Sequence, residues 1–184
     1  MEVLTTPLSG LYIIKPKVFE DERGHFFESW SKKVFQEHNI HDDFVQDNQS
    51  LSSEGVLRGL HFQAPPHAQG KLVRVIKGAV LDVAVDIRKG SPTYGQHFKI
   101  ELSETNKLQF FIAPGFAHGF LTLQNQTIFA YKCTGYYHKA SEGTLLWNDP
   151  QLAIDWGADL PVISDKDKAG VLLKDFDSPF VFSQ

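Results

Sequence analysis

The chain's 184 residues, 42% hydrophobic and 22% charged, are ordinary for a soluble globular protein and of a size that one β barrel or sandwich reaches comfortably. A net charge of −4 with no Lys/Arg cluster argues against a nucleic-acid partner, and the one cysteine, Cys133, excludes an internal disulfide and speaks against a cysteine-based metal site. No apolar segment follows Met1 and no apolar run is long enough to span a bilayer, so a cytoplasmic location without a membrane partner is expected.

The first strand reads as Leu11 to Ile14 with Lys17-Val18-Phe19, interrupted by Pro16, which suggests an edge or a bend. Asp21-Glu22-Arg23-Gly24 is a turn, and beyond Phe26 to Trp30 the hydroxyl residue Ser31 caps a short helix over Lys32 to His38. Phe44 to Ser50 mixes strand formers with amides. A polar cluster, Ser52 to Gly55, then precedes Val56-Leu57-Arg58-Gly59-Leu60-His61-Phe62-Gln63, a strand that carries a guanidinium and an imidazole in an otherwise apolar run. Strict alternation sets Gly59, His61 and Gln63 on one face and Arg58, Leu60 and Phe62 on the other. Arg58 joins His61 only if the strand bulges at Gly59.

Ala64-Pro65-Pro66-His67 stops that strand. Lys71 to Ile76 and Ala79 to Ile87 follow as strands, separated by Lys77-Gly78, a pair that fits a tight hairpin turn needing positive φ. In the second of these Leu81, Val83, Val85 and Ile87 face one way, and Val80, Asp82, Ala84, Asp86 and Arg88 the other. Its two carboxylates are either solvated or part of a polar cavity. His97 to Leu102, Lys107 to Ile112, Phe116 to Leu123 and Thr127 to Cys133 are further strands, with Cys133 read as a small buried apolar residue. Past Trp147-Asn148-Asp149-Pro150 the chain turns irregular, with a short helix around Lys166 to Leu173. Eight or more short strands spaced by Gly/Pro turns predict an all-β sandwich or barrel. No repeat or linker divides it, so residues 1–184 read as one domain.

Five polar residues fall on these strands: His61, Lys71, Asp82, His118 and Tyr131. A small β barrel has a mouth able to hold one ligand, and a histidine, a tyrosine and a lysine converging there supply a base, an acid and a cation. Such a set suits proton abstraction next to a carbonyl. Residue type alone leaves the alternative that they face water or, for His61, sit satisfied in the core. There is no His-x-His pair and no Gly-rich dinucleotide turn after a strand, so neither a metal nor another cofactor is expected.

The sequence closely resembles the dTDP-4-dehydrorhamnose 3,5-epimerase family, cofactor-free members of the cupin-like jelly-roll barrels. The resemblance is carried by Asp21-Glu22-Arg23-Gly24-His25-Phe26-Phe27-Glu28, Gln46-Asp47-Asn48-Gln49-Ser50, Leu57 to Gln63, Lys71 to Val75, Gly78 to Arg88, Pro114-Gly115-Phe116-Ala117-His118-Gly119-Phe120, Trp147 to Pro150 and Ile163-Ser164-Asp165-Lys166-Asp167. It implies an all-β, cupin-like jelly roll with a few short peripheral helices, and a nucleotide-sugar epimerase. His61 resembles the base that removes a proton beside the C4 ketone, and Asp167 its carboxylate partner, with Asp165 as the rival. Tyr131 resembles the acid that returns a proton on the opposite face, and Lys71 the cation that steadies the enolate oxygen.

The same resemblance implies substrate contacts for Arg58 and His118, and for Glu142 and Lys166, for which a solvated surface charge is the alternative. It implies nucleotide recognition by Arg23, Phe26, Glu28, Gln46, Asp47 and Asn48, with Phe26 and Tyr137 stacking on thymine or packing in the core. The implied partners are dTDP-4-keto-6-deoxyglucose and a second copy of the chain, in a homodimer with exchanged N-terminal segments. Two other readings compete with the double epimerase. One is an epimerase of a related sugar acting at C3 only, against which the presence of Tyr131 argues. The other is a non-catalytic nucleotide-sugar-binding barrel, which would lack the His/Asp/Tyr set.

Overall fold

The computed structural model of the chain describes residues 1–158 and 160–183. It begins with the antiparallel pair β1 (Glu2–Thr5) and β2 (Leu11–Lys15), then the small hairpin β3 (Phe19–Asp21) and β4 (Gly24–Phe26). Helix α1 (Lys32–Glu37) has Ser31 at its N-cap, although the serine side chain makes no capping bond. The central strands are β5 (Gln46–Ser52), β6 (Val56–Gln63), β7 (Lys71–Lys77), β8 (Ala79–Asp86) and β9 (Arg88–Lys89). After them come β10 (His97–Ser103), β11 (Gln109–Ile112), β12 (Phe116–Thr122), β13 (Thr127–Cys133) and β14 (Glu142–Thr144). The chain closes with β15 (Val162–Ile163), the one-turn helix α2 (Asp165–Lys168) and β16 (Phe180–Val181).

Two sheets face each other. One has the order β1-β2-β11-β7-β13-β5; the other has β10-β8-β12-β6-β14, with β15 added in parallel beside β6. Passages from β5 to β6, β7 to β8, β10 to β11, β11 to β12 and β12 to β13 all cross between the sheets, which is the jelly-roll way of folding a long ribbon onto itself. Among the described residues no helix is long and apolar enough to cross a membrane.

This crossing pattern corrects several sequence expectations. Lys77-Gly78 is no hairpin, because β7 and β8 lie in different sheets. Gly78 does take φ +82°, and a Cβ there would collide with Thr127, so the glycine turns a corner between layers instead of a strand back on itself. β2 is not an edge: it lies between β1 and β11, and Pro16 ends it. Of the two alternatives left open for Asp82 and Asp86, the buried polar one holds: both are fully buried and hydrogen-bonded, Asp82 to His118 and Asp86 to Arg88, Ser91 and Thr93. The helix expected over Lys166 to Leu173 is the single turn α2 followed later by a 3₁₀ turn at Leu173–Asp175.

Alternation along β8 shows how three apolar layers arise. Val80 and Ala84 point between the sheets to meet Val73, Leu102, Phe110 and Phe129. Val83 and Val85 point outward, where the C-terminal segment covers them with Leu145, Trp156 and Phe180. On the far side, Phe35 and Ile40 of the α1 region cover Ile14, Leu72 and Phe111. Each buried Val, Leu, Ile or Phe among them contributes about 1.5–3 kcal/mol, and both sheets are thereby anchored on both faces.

Candidate active site

Between the sheets, at the β5–β6 side, a cleft of about 630 Å³ is lined by Arg58, His61, Lys71, His118, Phe120, Phe129 and Tyr131, and is closed from outside by Val162 to Asp167. Gly59 makes this set possible. His118 on β12 lies opposite His61, whereas Phe120 lies opposite Arg58, so the register slips by one residue between them. Gly59 has φ +138° and a Cβ there would clash with Gly119. With one extra residue in the strand, Arg58 and His61 both face the cleft, while Leu60 and Phe62 pack outward. This is the bulge on which the sequence made the meeting of Arg58 and His61 depend.

His61 and His118 are cross-strand neighbours, and each is tied through Nε2 to a carboxylate from a different direction. His61 Nε2 is 2.6 Å from Asp167 Oδ1 on α2. Asp167 also accepts from the Gly59 N–H at 3.4 Å, and its own N–H donates to the capping Ser164 Oγ at 3.2 Å. Burial pushes the Asp167 carboxyl up, but its bond with His61, the imidazole's charge and the Gly59 N–H outweigh that and hold it below the ordinary range. His118 Nε2 lies 3.0 Å from both oxygens of the fully buried Asp82. Here burial dominates: it pushes His118 down despite Asp82, and the charges of Lys71 and His61 push the same way.

The opposite sheet supplies Lys71 and Tyr131. Burial lowers the Lys71 ammonium, partly offset by Cys133, Asp82 and Glu142. Burial raises the Tyr131 phenol, so it stays protonated. Such a site holds a general base backed by a carboxylate on one wall and a phenol and an ammonium on the other. It can take a proton from one side of a bound molecule, support a developing oxyanion, and return a proton from the other side.

A second lobe of about 280 Å³ shares His61, Lys71 and Tyr131 and adds Gln46, Asn48, Tyr137 and Glu142. Gln46 donates to Asn48 at 3.0 Å and accepts from the Tyr137 N–H at 3.0 Å. Glu142 accepts from the Tyr137 hydroxyl at 3.1 Å and ion-pairs with Lys166. Its carboxyl, though raised by burial, is held low mainly by Lys166. Asp165 instead points to solvent and pairs with Lys168.

Four expected contacts lie elsewhere. Asp47 alternates to the outer face of β5 and pairs with Lys132 at 3.0 Å. Arg23 and Phe26 stand on the β3–β4 hairpin, where Arg23 binds Asp21 and Phe26 is 73% exposed, and Glu28 is exposed. The site also includes residues that sequence reading passed over. Ser52 accepts from Arg58 Nε and Nη2 at 3.4 and 3.3 Å. Ser50 places a buried hydroxyl with no partner among the described residues on the cleft wall. Both sit at the inward period-two positions of β5 with Gln46 and Asn48, the one signal that could have found them. Among the described residues no group of three His, Cys, Asp or Glu is placed to hold a metal.

Comparison with known proteins gives the same direction at every level. The family model for dTDP-4-dehydrorhamnose 3,5-epimerase matches residues 5–175. An enzyme of that name from Salmonella typhimurium is 53% identical over 175 residues, 94% of this chain and 96% of its own length. The crystal structure of dTDP-6-deoxy-D-glucose-3,5-epimerase from Legionella pneumophila in complex with dTDP-4-keto-L-rhamnose superposes with a TM-score of 0.94 at 50% identity, covering 100% of this chain and 98% of that one. A 3′-monoepimerase from Streptomyces bikiniensis, in complex with dTDP-quinovose, is further off at 31% identity and a TM-score of 0.87, over 93% of this chain and 88% of its own.

Proposed function

The chain belongs to the dTDP-4-dehydrorhamnose 3,5-epimerase family, and on that premise we propose that it converts dTDP-4-dehydro-6-deoxy-D-glucose to dTDP-4-dehydro-L-rhamnose. It is an isomerase acting on a carbohydrate, in the route to dTDP-L-rhamnose. His61 removes the proton at C3 and at C5, each next to the C4 ketone. Asp167 favours the imidazolium that forms. Lys71 stabilises the enolate oxygen, and Tyr131 returns a proton on the opposite face. Arg58 and Lys166 meet the diphosphate, where a fork-shaped guanidinium fits well. Gln46, Asn48, Tyr137 and Glu142 hold the nucleotide in the second lobe, while His118 contacts the sugar. No cofactor takes part.

The observation that carries this reading is the 2.6 Å contact between His61 and Asp167 in a cleft that Tyr131 and Lys71 enter from the other sheet. A barrel that only bound a nucleotide sugar would have no need of that pairing. Inversion at C3 alone also needs a proton returned from the opposite face, so the reading of two inversions is supported instead by the 50–53% identity to enzymes named as 3,5-epimerases, against 31% to the 3′-monoepimerase. Arg23, Phe26 and Glu28 belong to the assembly: residues 1–184 form one domain, two of which exchange N-terminal segments in a cytoplasmic homodimer. The projecting hairpin supports this, with Phe19 55% and Phe26 73% exposed and so left to be covered by something else. Incubation with dTDP-4-keto-6-deoxyglucose in heavy water, followed by NMR, tests the activity. Deuterium at both C3 and C5 is expected; deuterium at C3 alone would leave the single epimerase, and none at all the binding barrel.

A further inference from the structure

The proposed chemistry gives Asp82 no task, yet it is a fully buried carboxylate whose one side-chain hydrogen-bond partner among the described residues is His118. Its place is set by the sheet. Asp82 lies opposite Phe120 and Ala84 opposite His118, so Asp82 is the diagonal neighbour of His118 on the inner face. An ionised carboxylate only accepts hydrogen bonds, so the hydrogen shared between them sits on His118 Nε2. The other ring nitrogen, Nδ1, has no protein partner among the described residues, and His118 lines the same wall of the cleft as His61, beside it on the neighbouring strand.

We propose that Asp82 is a positioning residue that fixes His118 in the tautomer protonated on Nε2, so that Nδ1 offers a lone pair to a hydroxyl hydrogen of the bound sugar. His118 is then an acceptor, and it does not donate to the ketone or the enolate oxygen. The groups that face it reinforce this. Lys71 and His61 are cations or potential cations on the cleft side, the Phe129 ring stacks 6.3 Å away, and burial keeps a second proton off the imidazole. The donor to the C4 oxygen is then Lys71, and the two histidines on neighbouring strands divide their work. His61, 29% exposed, gains and loses a proton; His118, 7% exposed, holds one and presents a lone pair. The identity of the hydroxyl rests on the epimerase reading, but the tautomer does not.

The test begins with the free wild-type protein labelled with ¹⁵N-histidine, the His118 signals being assigned by their loss in His118→Gln. Nδ1 is expected to resonate as an unprotonated nitrogen and Nε2 as a protonated one; a hydrogen on Nδ1, or on both, overturns the proposal. In Asp82→Asn the charge that fixes the tautomer is gone. Loss of an acceptor felt equally by substrate and transition state is expected to raise KM about 3- to 10-fold with kcat lowered less than about threefold. Unchanged kinetics, or a fall confined to kcat, overturns it. Should the variant not fold, the wild-type spectrum decides alone. A wild-type protein that exchanges no deuterium sinks the epimerase reading, whereas an active one with His118 protonated on Nδ1 sinks only this inference.

Discussion

The space between the two sheets has two halves of opposite character. On the β2, β11 and β10 side it is filled by Leu11, Phe110, Ile112 and Leu102, and is dry. On the β5 and β6 side the same inward positions hold Asn48, Ser50, Arg58 and His61, joined by Lys71, His118 and Tyr131, and the sheets part around a cleft. Strands β7, β8, β12 and β13 serve both halves: β13 brings Phe129 to the core and Tyr131 to the cleft two residues on. Period two thus aims side chains without deciding what they meet. The dry half makes the fold stable by area alone, whereas in the polar half a buried charged or polar group costs free energy unless it is paired. His61 has Asp167, His118 has Asp82 and Glu142 has Lys166.

Substitutions in the two halves should therefore fail differently. The largest effect expected is on activity, from His61→Ala. Removal of a general base costs roughly 10²–10⁴-fold, with melting close to that of the parent because the ring is part-exposed and the cleft already open to water. A loss under about tenfold in deuterium exchange would take His61 out of the base role. Phe110→Ala should do the converse. It leaves a cavity in the dry half and costs about 3–5 kcal/mol of stability, with kcat of the remaining folded protein near the parent value. A denaturation curve that barely moves would mean that the two halves are not energetically distinct. A smaller effect separates the two carboxylates of the Ser-Asp-Lys-Asp run. Asp167→Asn should slow turnover at least about tenfold, equivalent to about 1.4 kcal/mol of barrier, and Asp165→Asn less than about twofold. The reverse order would contradict the geometry of α2.

Much of this arrangement is legible in the sequence, and what is not has identifiable physical reasons. The strands follow from alternation and Gly/Pro punctuation, and the inward and outward sets of β8 are as the pattern gives them. The resemblance brings out Asp167 as the partner of His61 with Asp165 as its rival, and helical geometry explains the choice, since Ser164 caps α2 and turns residue 167 inward. Non-local pairing is what the pattern does not carry. Lys77-Gly78 has the local signature of a hairpin, and only the layer to which β8 belongs makes it a corner. Tyr131 and His118 look like neighbours on consecutive strands, but β12 and β13 lie in opposite sheets. They face each other across the interior, where Phe120 and Phe129 stack 4.1 Å apart. Asp82 and Asp86 look alike on one strand face; Asp82 receives His118, and Asp86 receives Arg88, Ser91 and Thr93 in a turn.

That opposition of sheets is the centre of the account, because two inversions need protons taken on one side of the sugar and returned on the other. His61 belongs to one sheet and Tyr131 to the other, so one residue cannot do both. Tyr131→Phe removes a single hydroxyl and is the most direct test, read by NMR with dTDP-4-keto-6-deoxyglucose in heavy water. Base-driven deuterium exchange is expected to persist at C3, substrate affinity to stay near the parent's, and the doubly inverted L-configured product no longer to form. Formation of that product at the parent rate would make Tyr131 a packing residue and assign the proton to water or another side chain.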